Sequence, residues 1–381
     1  MHVSLFLAAL LGVAGVSAVE NPHKRAPPKR RAPSPNTQKA NSAHGKRAYL
    51  SDKTKRFAVD GTGLPEVDFD IGESYAGTLS IDDNEDNENQ LWFWFFPSEN
   101  PAAHNEIVVW LNGGPGCSSL NGLLQENGPF LWQSGTFAPI ANPYSWVNLT
   151  NMIWIDQPIG TGFSPSGKGE VKKLKTEHDV SVDFMGFWKN FMETFGLTGR
   201  DVYLTGESYA GQYIPYIAYN MLKANDSDYY NVKGIQINDP SINHGDVMTE
   251  APAINYVNEF SNIFNLNETT MAWLNERNSE CGYDAFMENA LAYPPNGPIP
   301  TAPDSTKKHC NLWEYATSAA IYINPCFNLY HIIDYCPFLW DVEGFPSFGW
   351  GPNDYFNRSE VQAAINAPTV WMSDATNGLD N

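Results

Sequence analysis

The feature that most limits what this chain can become is the hexapeptide Gly206-Glu207-Ser208-Tyr209-Ala210-Gly211. It stands between Val202-Tyr203-Leu204, which reads as a buried strand, and Gln212 to Leu222, which can form a helix. A serine placed where a strand reverses sharply into a helix needs small neighbours, because the turn is strained and its hydroxyl must stay unobstructed. Glycines two before and three after Ser208 meet that need, although Ala210 departs from the strict G-x-S-x-G spacing. Such a serine is a candidate nucleophile, and the Tyr209 N–H at the helix start is a candidate oxyanion donor. A second glycine-rich stretch, Asn112-Gly113-Gly114-Pro115-Gly116, follows the strand-like run Ile107 to Leu111 and lets the backbone approach a substrate carbonyl. Either stretch alone is a common turn; together they occur in the order that acyl chemistry requires.

Other short apolar runs fit buried strands: Leu91 to Phe96, Met152 to Ile155 and Gly234 to Ile237. Between the strands near 152 and 201, Val180, Phe184, Phe187, Trp188, Phe191 and Phe195 fall on one helical face, and packing on a sheet explains that stripe without a ligand. Strand, helix, strand predicts an α/β fold with a mainly parallel sheet over residues 57–240. After Pro240 the sequence turns irregular and helical, and four of the five cysteines, Cys281, Cys310, Cys326 and Cys336, lie there. Residues 241–350 are expected to form a disulfide-containing cap insertion, with a separate domain as the alternative. Cys117 is expected in a disulfide rather than as a nucleophile, and an odd count leaves one partner missing or one thiol unbridged. Residues 351–381 begin a second part of the core, with a short helix from Asn357 to Pro368.

Residues 1–18 read as a signal peptide: Leu5 to Ala14 is apolar and Val16-Ser17-Ala18 offers small residues for cleavage. Residues 19–56 are rich in Pro, Ser, Asn and basic side chains and read as a disordered propeptide. That segment contains Lys24-Arg25, Lys29-Arg30-Arg31, Lys46-Arg47 and Lys55-Arg56, which are candidate processing sites. Glycosylation sequons at Asn148, Asn225, Asn267 and Asn357 fit a secretory route to the cell exterior or a vacuole. Residues 57–381 hold 12 basic and 41 acidic side chains, a balance that argues against nucleic acid or an anionic membrane as partner. No Cys or His spacing resembles a zinc site, so neither metal nor cofactor is expected.

Trp110 to Ser119, Asn142-Pro143-Tyr144-Ser145-Trp146, Asp156 to Ser164, Gly206 to Gly211 and Tyr355 to Val361 together resemble the serine carboxypeptidase family, its fungal members most. The resemblance implies an α/β-hydrolase core with an inserted cap, Ser208 as nucleophile, and the N–H groups of Gly114 and Tyr209 as oxyanion hole. It also implies that Asn112, Glu126 and Glu207 hold the free C-terminal carboxylate of a peptide substrate. Two glutamates can face a third carboxylate only if protons are shared, so binding should favour acid. The family's Asp and His follow the helix near Arg358, and its Gly-His-Met signature is not found in this chain. The late core strands and both residues are therefore expected beyond residue 381, and the chain as it stands is expected to be catalytically silent. His244, His309, His331, Asp374 and Asp380 match no catalytic motif. A non-catalytic peptide-binding relic and an acyltransferase on the same fold are the alternatives.

Overall fold

The computed structural model describes residues 47–103, 105–336, 339, 342–343 and 355–368. The expected signal peptide, residues 19–46 of the expected propeptide, Asp374 and Asp380 lie outside the described residues.

Among the described residues nine strands form: β1 (Ala58–Val59), β2 (Ser74–Ser80), β3 (Gln90–Phe96), β4 (Glu106–Leu111), β5 (Phe130–Leu131), β6 (Ile140–Ala141), β7 (Asn151–Asp156), β8 (Asp201–Glu207) and β9 (Val232–Asn238). Seven of them make one sheet in the order β1-β2-β3-β7-β4-β8-β9, and β5 pairs with β6. The sheet is mixed, which corrects the expectation of a mainly parallel one: β7, β4, β8 and β9 run parallel, whereas β1, β2 and β3 pair antiparallel and β3 joins β7 antiparallel. The reason is the link between β2 and β3. Residues 81–89 are too few for a crossover, and their side chains fold them into successive turns, Asp82 Oδ1 accepting from the Asn84 N–H at 2.9 Å and Asn87 Oδ1 from the Asn89 N–H at 2.9 Å.

Strand β3 shows why the sheet sits in the middle. Leu91, Phe93 and Phe95 enter one apolar cluster, and Trp92, Trp94 and Phe96 enter the other, so both faces are buried. Helices α1 (Leu120–Gly122), α2 (Glu177–Phe195) and α3 (Ala210–Ala224) follow in chain order, and α2 and α3 cover the first face. Thr176 and Asp179 close a capping box at the start of α2, and Gly196 ends it at φ 64°. Against the second face lie Leu123, Phe130 and Trp132, together with Tyr355 and Phe356.

Beyond β9 come α4 (Ala251–Glu259), α5 (Ser261–Phe264), α6 (Glu268–Cys281), α7 (Tyr283–Ala290) and α8 (Leu312–Ile323), and finally α9 (Ser359–Ala364). Helices α4 to α8 surround their own smaller cluster, which includes Ile254, Val257, Phe264, Leu274, Tyr283 and Leu312. Disulfides join Cys281 to Cys310 and Cys326 to Cys336; Cys117 is in neither. Among the described residues no strand follows Asn238, and Ile235 of β9 is 49% exposed.

The packed body begins earlier than the Phe57 expected from composition. Thr54 is buried and Tyr49 meets the Phe95 ring with centroids 5.5 Å apart, so residues 47–56 lie on the sheet. Low apolar content hid this, because a few anchors suffice to hold so short a segment.

Candidate active site

Ser208 stands between β8 and α3 with φ 56°, a left-handed conformation that a non-glycine residue adopts at a cost of about 1–2 kcal/mol. Three backbone bonds hold it there. Its N–H donates to the Asn238 carbonyl at 3.0 Å, and its carbonyl accepts from the N–H groups of Gly211 at 2.9 Å and Ser241 at 2.8 Å. The flanking glycines are small for a steric reason. A Cβ on Gly206 would lie 2.2 Å from the Leu111 carbonyl oxygen, and one on Gly211 would lie 2.7 Å from that of Ser241. The residue itself remains exposed.

The second glycine loop presses against this turn. A Cβ on Gly113 would lie 2.4 Å from the Tyr209 nitrogen and 2.8 Å from the Ser208 Cβ, so the loop after β4 touches the serine turn backbone to backbone. Gly114 has φ 114° and Gly116 φ 87°, conformations that favour glycine. The Gly116 N–H donates to the Tyr213 hydroxyl at 3.1 Å, and the Tyr209 hydroxyl donates to Glu177 at 2.8 Å. Both aromatic side chains next to the turn are thus tied to elements outside it.

Asn112, Glu207 and Glu126 come together beside Ser208. The Asn112 side-chain oxygen accepts from the Trp110 indole N–H at 2.8 Å and from the Gly122 N–H at 3.1 Å, which fixes the orientation of its amide. Its Nδ2 is left to donate to Glu207 Oε1, at 2.7 Å. Glu126 sits in a wide helical turn, Leu123–Asn127, and hydrogen-bonds Glu207. Part of the Glu126 side chain meets solvent, yet its carboxyl is held well above the ordinary range, first by desolvation and then by the Glu207 charge. Desolvation also raises Glu207, with Asp239 adding repulsion. Two carboxyls in contact at neutral pH share a proton, which leaves the pair an O–H that can donate to a third carboxylate.

The reading from sequence assigned no role to Asp156, and the structure places it under this site. It is completely buried, accepting from Ser118 Oγ at 2.6 Å, the Ser119 N–H at 2.9 Å and the Phe163 N–H at 2.9 Å. Ser119 Oγ in turn accepts from the Asn112 N–H at 3.1 Å. Burial pushes the Asp156 carboxyl up to about 6 even against those donors. The signal that could have found it is Gly162: a Cβ there would lie 2.1 Å from Asp156 Oδ2.

No described histidine is paired with Ser208. The His178 ring meets Asn220 at 3.1 Å, His244 meets Asp246 at 3.0 Å, His309 meets the Tyr315 hydroxyl at 2.8 Å, and His331 meets Asp334. The four sequon asparagines are exposed; Asn225 ends α3 and Asn267 caps α6 through its side chain.

The family model described as serine carboxypeptidase matches residues 65–377. A carboxypeptidase Y homolog of Arthroderma benhamiae is 51% identical over 85% of this chain and 62% of its own length. The serine-type carboxypeptidase F of Aspergillus niger is 42% identical over 86% of this chain and 61% of its own. The chain therefore spans about three fifths of the length of these relatives. Among solved structures, a prohormone-processing carboxypeptidase from Saccharomyces cerevisiae superposes with a TM-score of 0.63 at 24% identity, covering 86% of this chain and 72% of that one. That likeness concerns the fold, an α/β-hydrolase core. With the family match covering most of its length, the chain belongs to the serine carboxypeptidase family.

Proposed function

We propose that this chain carries the nucleophile and the substrate-carboxylate site of a serine-type carboxypeptidase that removes C-terminal residues from peptides. Ser208 Oγ would attack the last peptide carbonyl, the N–H groups of Gly114 and Tyr209 would hold the oxyanion, and water would then release the acyl group from Ser208. The observation that carries this reading is the Asn112, Glu207 and Glu126 cluster, joined by hydrogen bonds on the residue next to Ser208. An endopeptidase has no use for a proton-sharing pair of acids there. A free carboxylate does, because Asn112 and the shared proton supply its donors. Turnover also needs a base at Ser208 Oγ, and the described histidines are engaged elsewhere, so the reading concerns the protein over the full length of its relatives. Its substrates would be peptides met in the secretory pathway, outside the cell or in a vacuole, as the leader-like N-terminus supports. Among the described residues no helix is long and apolar enough to cross a membrane.

The test is the ratio of hydrolysis of free-acid to C-terminally amidated peptides by the full-length protein. Glu126→Gln and Glu207→Gln are each expected to lower that ratio by about tenfold or more, the size of one charge-assisted hydrogen bond. Unchanged ratios in both variants would remove the cluster from substrate binding. The shared proton is present below the raised titration of the pair and lost above it, so KM for free-acid peptides should rise as pH rises.

A further inference from the structure

We propose that the chain is cut between Arg47 and Ala48, and that the new α-ammonium group of Ala48 pairs with the carboxylate of Glu73. Of the four basic motifs in the N-terminal segment, Lys46-Arg47 is the one that ends directly before Ala48, whose N–H already meets an acid. Glu73 is already arranged to receive a terminus at the next residue. The Ala48 N–H donates to Glu73 Oε2 at 2.9 Å, the Tyr49 N–H donates to Oε1 at 3.0 Å, and the Tyr75 hydroxyl donates to Oε1 at 2.6 Å. Hydrolysis breaks the Arg47 C–N bond and gives the Arg47 carbonyl carbon the hydroxyl of water and the Ala48 nitrogen its remaining proton; the new Arg47 carboxylic acid then passes its proton to that amine, leaving a carboxylate and an ammonium. The neutral amide donor then becomes a cation at the same oxygen, so attraction between unlike charges is added to the hydrogen bond already made there.

The segment after Ala48 is anchored well enough to keep such a terminus in place. The Tyr49 carbonyl accepts from the Thr54 hydroxyl at 2.5 Å, and its ring packs between Phe95 and the Arg200 guanidinium, 5.5 and 5.7 Å away. The downstream motif, Lys55-Arg56, is protected. It lies in the helical turn Lys55–Phe57, and Phe57 is buried against Phe93 at 5.4 Å, so a protease would have to lift a core residue out to reach that bond. Arg47 and Ala48 are held by far less: besides the Ala48 bond to Glu73, Arg47 donates to the Val59 carbonyl and lies over the Tyr75 ring at 5.7 Å. Half-exposed Arg47 and exposed Ala48 can reach a protease cleft without unfolding the sheet.

The chain should be expressed from Met1 in a fungal secretory host, and in parallel purified uncut and treated with a Lys-Arg-specific subtilisin-like endoprotease. N-terminal sequencing is expected to read Ala48-Tyr49-Leu50 in both, and Arg47→Gln is expected to abolish that product. A stable product starting at Ala26, Ala32 or Phe57 in its place, or the same cut in Arg47→Gln, would overturn the assignment. Glu73→Gln then tests the pairing by thermal unfolding. It should lower the Tm of the cut form by at least about 2 °C more than that of the uncut form; equal shifts in the two forms would exclude the ammonium pair. Neither readout depends on peptidase turnover.

Discussion

Around Ser208 the chain is fixed by backbone contacts that leave no room for a side chain, whereas from Gly245 to Cys336 it is held by a small apolar cluster and two covalent links. At the serine turn, Gly113, Gly206 and Gly211 each face a backbone atom at 2.7 Å or less from where a Cβ would sit. In the helical region Gly245 and Gly297 have nothing within 4 Å. Helix α6 illustrates the same contrast: of its fourteen residues only Leu274 and Asn278 are buried, against eight of fifteen in α3. A strained residue such as Ser208 persists only where its surroundings over-determine it, so the two regions differ because only one of them must hold a hydroxyl in an uncomfortable place.

The comparison is broken most directly by exchanging glycine for alanine in each region. Gly113→Ala puts a methyl group into the Tyr209 nitrogen, and no flexible side chain is available to yield. We expect a loss of about 3 kcal/mol of stability and, in the full-length protein, a fall of about a hundredfold in kcat as the oxyanion donors move. Gly245→Ala, at φ −55° and in open space, should change stability by less than about 0.5 kcal/mol. Denaturant midpoints for the two variants that agree within error would remove the distinction.

Next in size is the link between Cys281 and Cys310, which are 29 residues apart. Chain entropy gives such a loop roughly 3–4 kcal/mol, and here that stabilisation belongs to a region with little else. Replacing both cysteines with serine should therefore speed hydrogen exchange in α6 and α7 while leaving β4 and β8 as slow as before. Uniform loss of protection across the sheet would show that the two regions unfold as one unit.

How much of the fold and site was legible in the residues divides along the same line. The runs at 91–96, 107–111 and 152–155 announced strands because strands buried on both faces are continuously apolar; those at 201–204 and 234–237 also became strands, although β9 holds no buried residue and corrects the expectation of a buried strand there. Strand β2, Ser74–Ser80, was missed because its Gly77, Ser and Thr residues blur that signal, and strand direction is set by connection length rather than composition. The serine turn could be read because it forces glycine at fixed spacing. Glu126 could not be read from residues alone, since a glutamate in a polar loop is ordinarily a surface charge; only family resemblance singled it out. Asp156 escaped for the converse reason, being an acid fully buried on three donors at the end of an apolar strand.

The smallest expected effect separates buried acids from surface ones, and Asp183 on α2 is the acid to use because it lies outside the site. Burial first, then the charges of Asp179, Asp82 and Glu170, push it up to about 6 from 3.8. Between those two values the folded chain binds more protons than the unfolded one, so stability is greatest at the acid end and falls as pH rises toward 6. Asp156 acts in the same direction and over the same range. Asp304, exposed, and Asp334, half-exposed, in the helical region are lowered by hydrogen bonds from Thr306 and from His331 and Asn328, so their contribution runs the other way, lost as pH falls. General repulsion in an acidic protein also weakens the fold at high pH, so the slope of the wild type alone decides nothing. The deciding quantity is the difference between Tm at pH 4.5 and at pH 7, compared with the same difference for Asp183→Asn. That variant should lose about 2 °C of the acid advantage, because its amide is neutral throughout and no longer meets the neighbouring carboxylates as a charge. Since Asp183 is partly open to water, screening keeps the effect near this size. An unchanged difference would mean that the charge at position 183 is fully solvated, and that the contrast between buried and surface acids must rest on Asp156 alone.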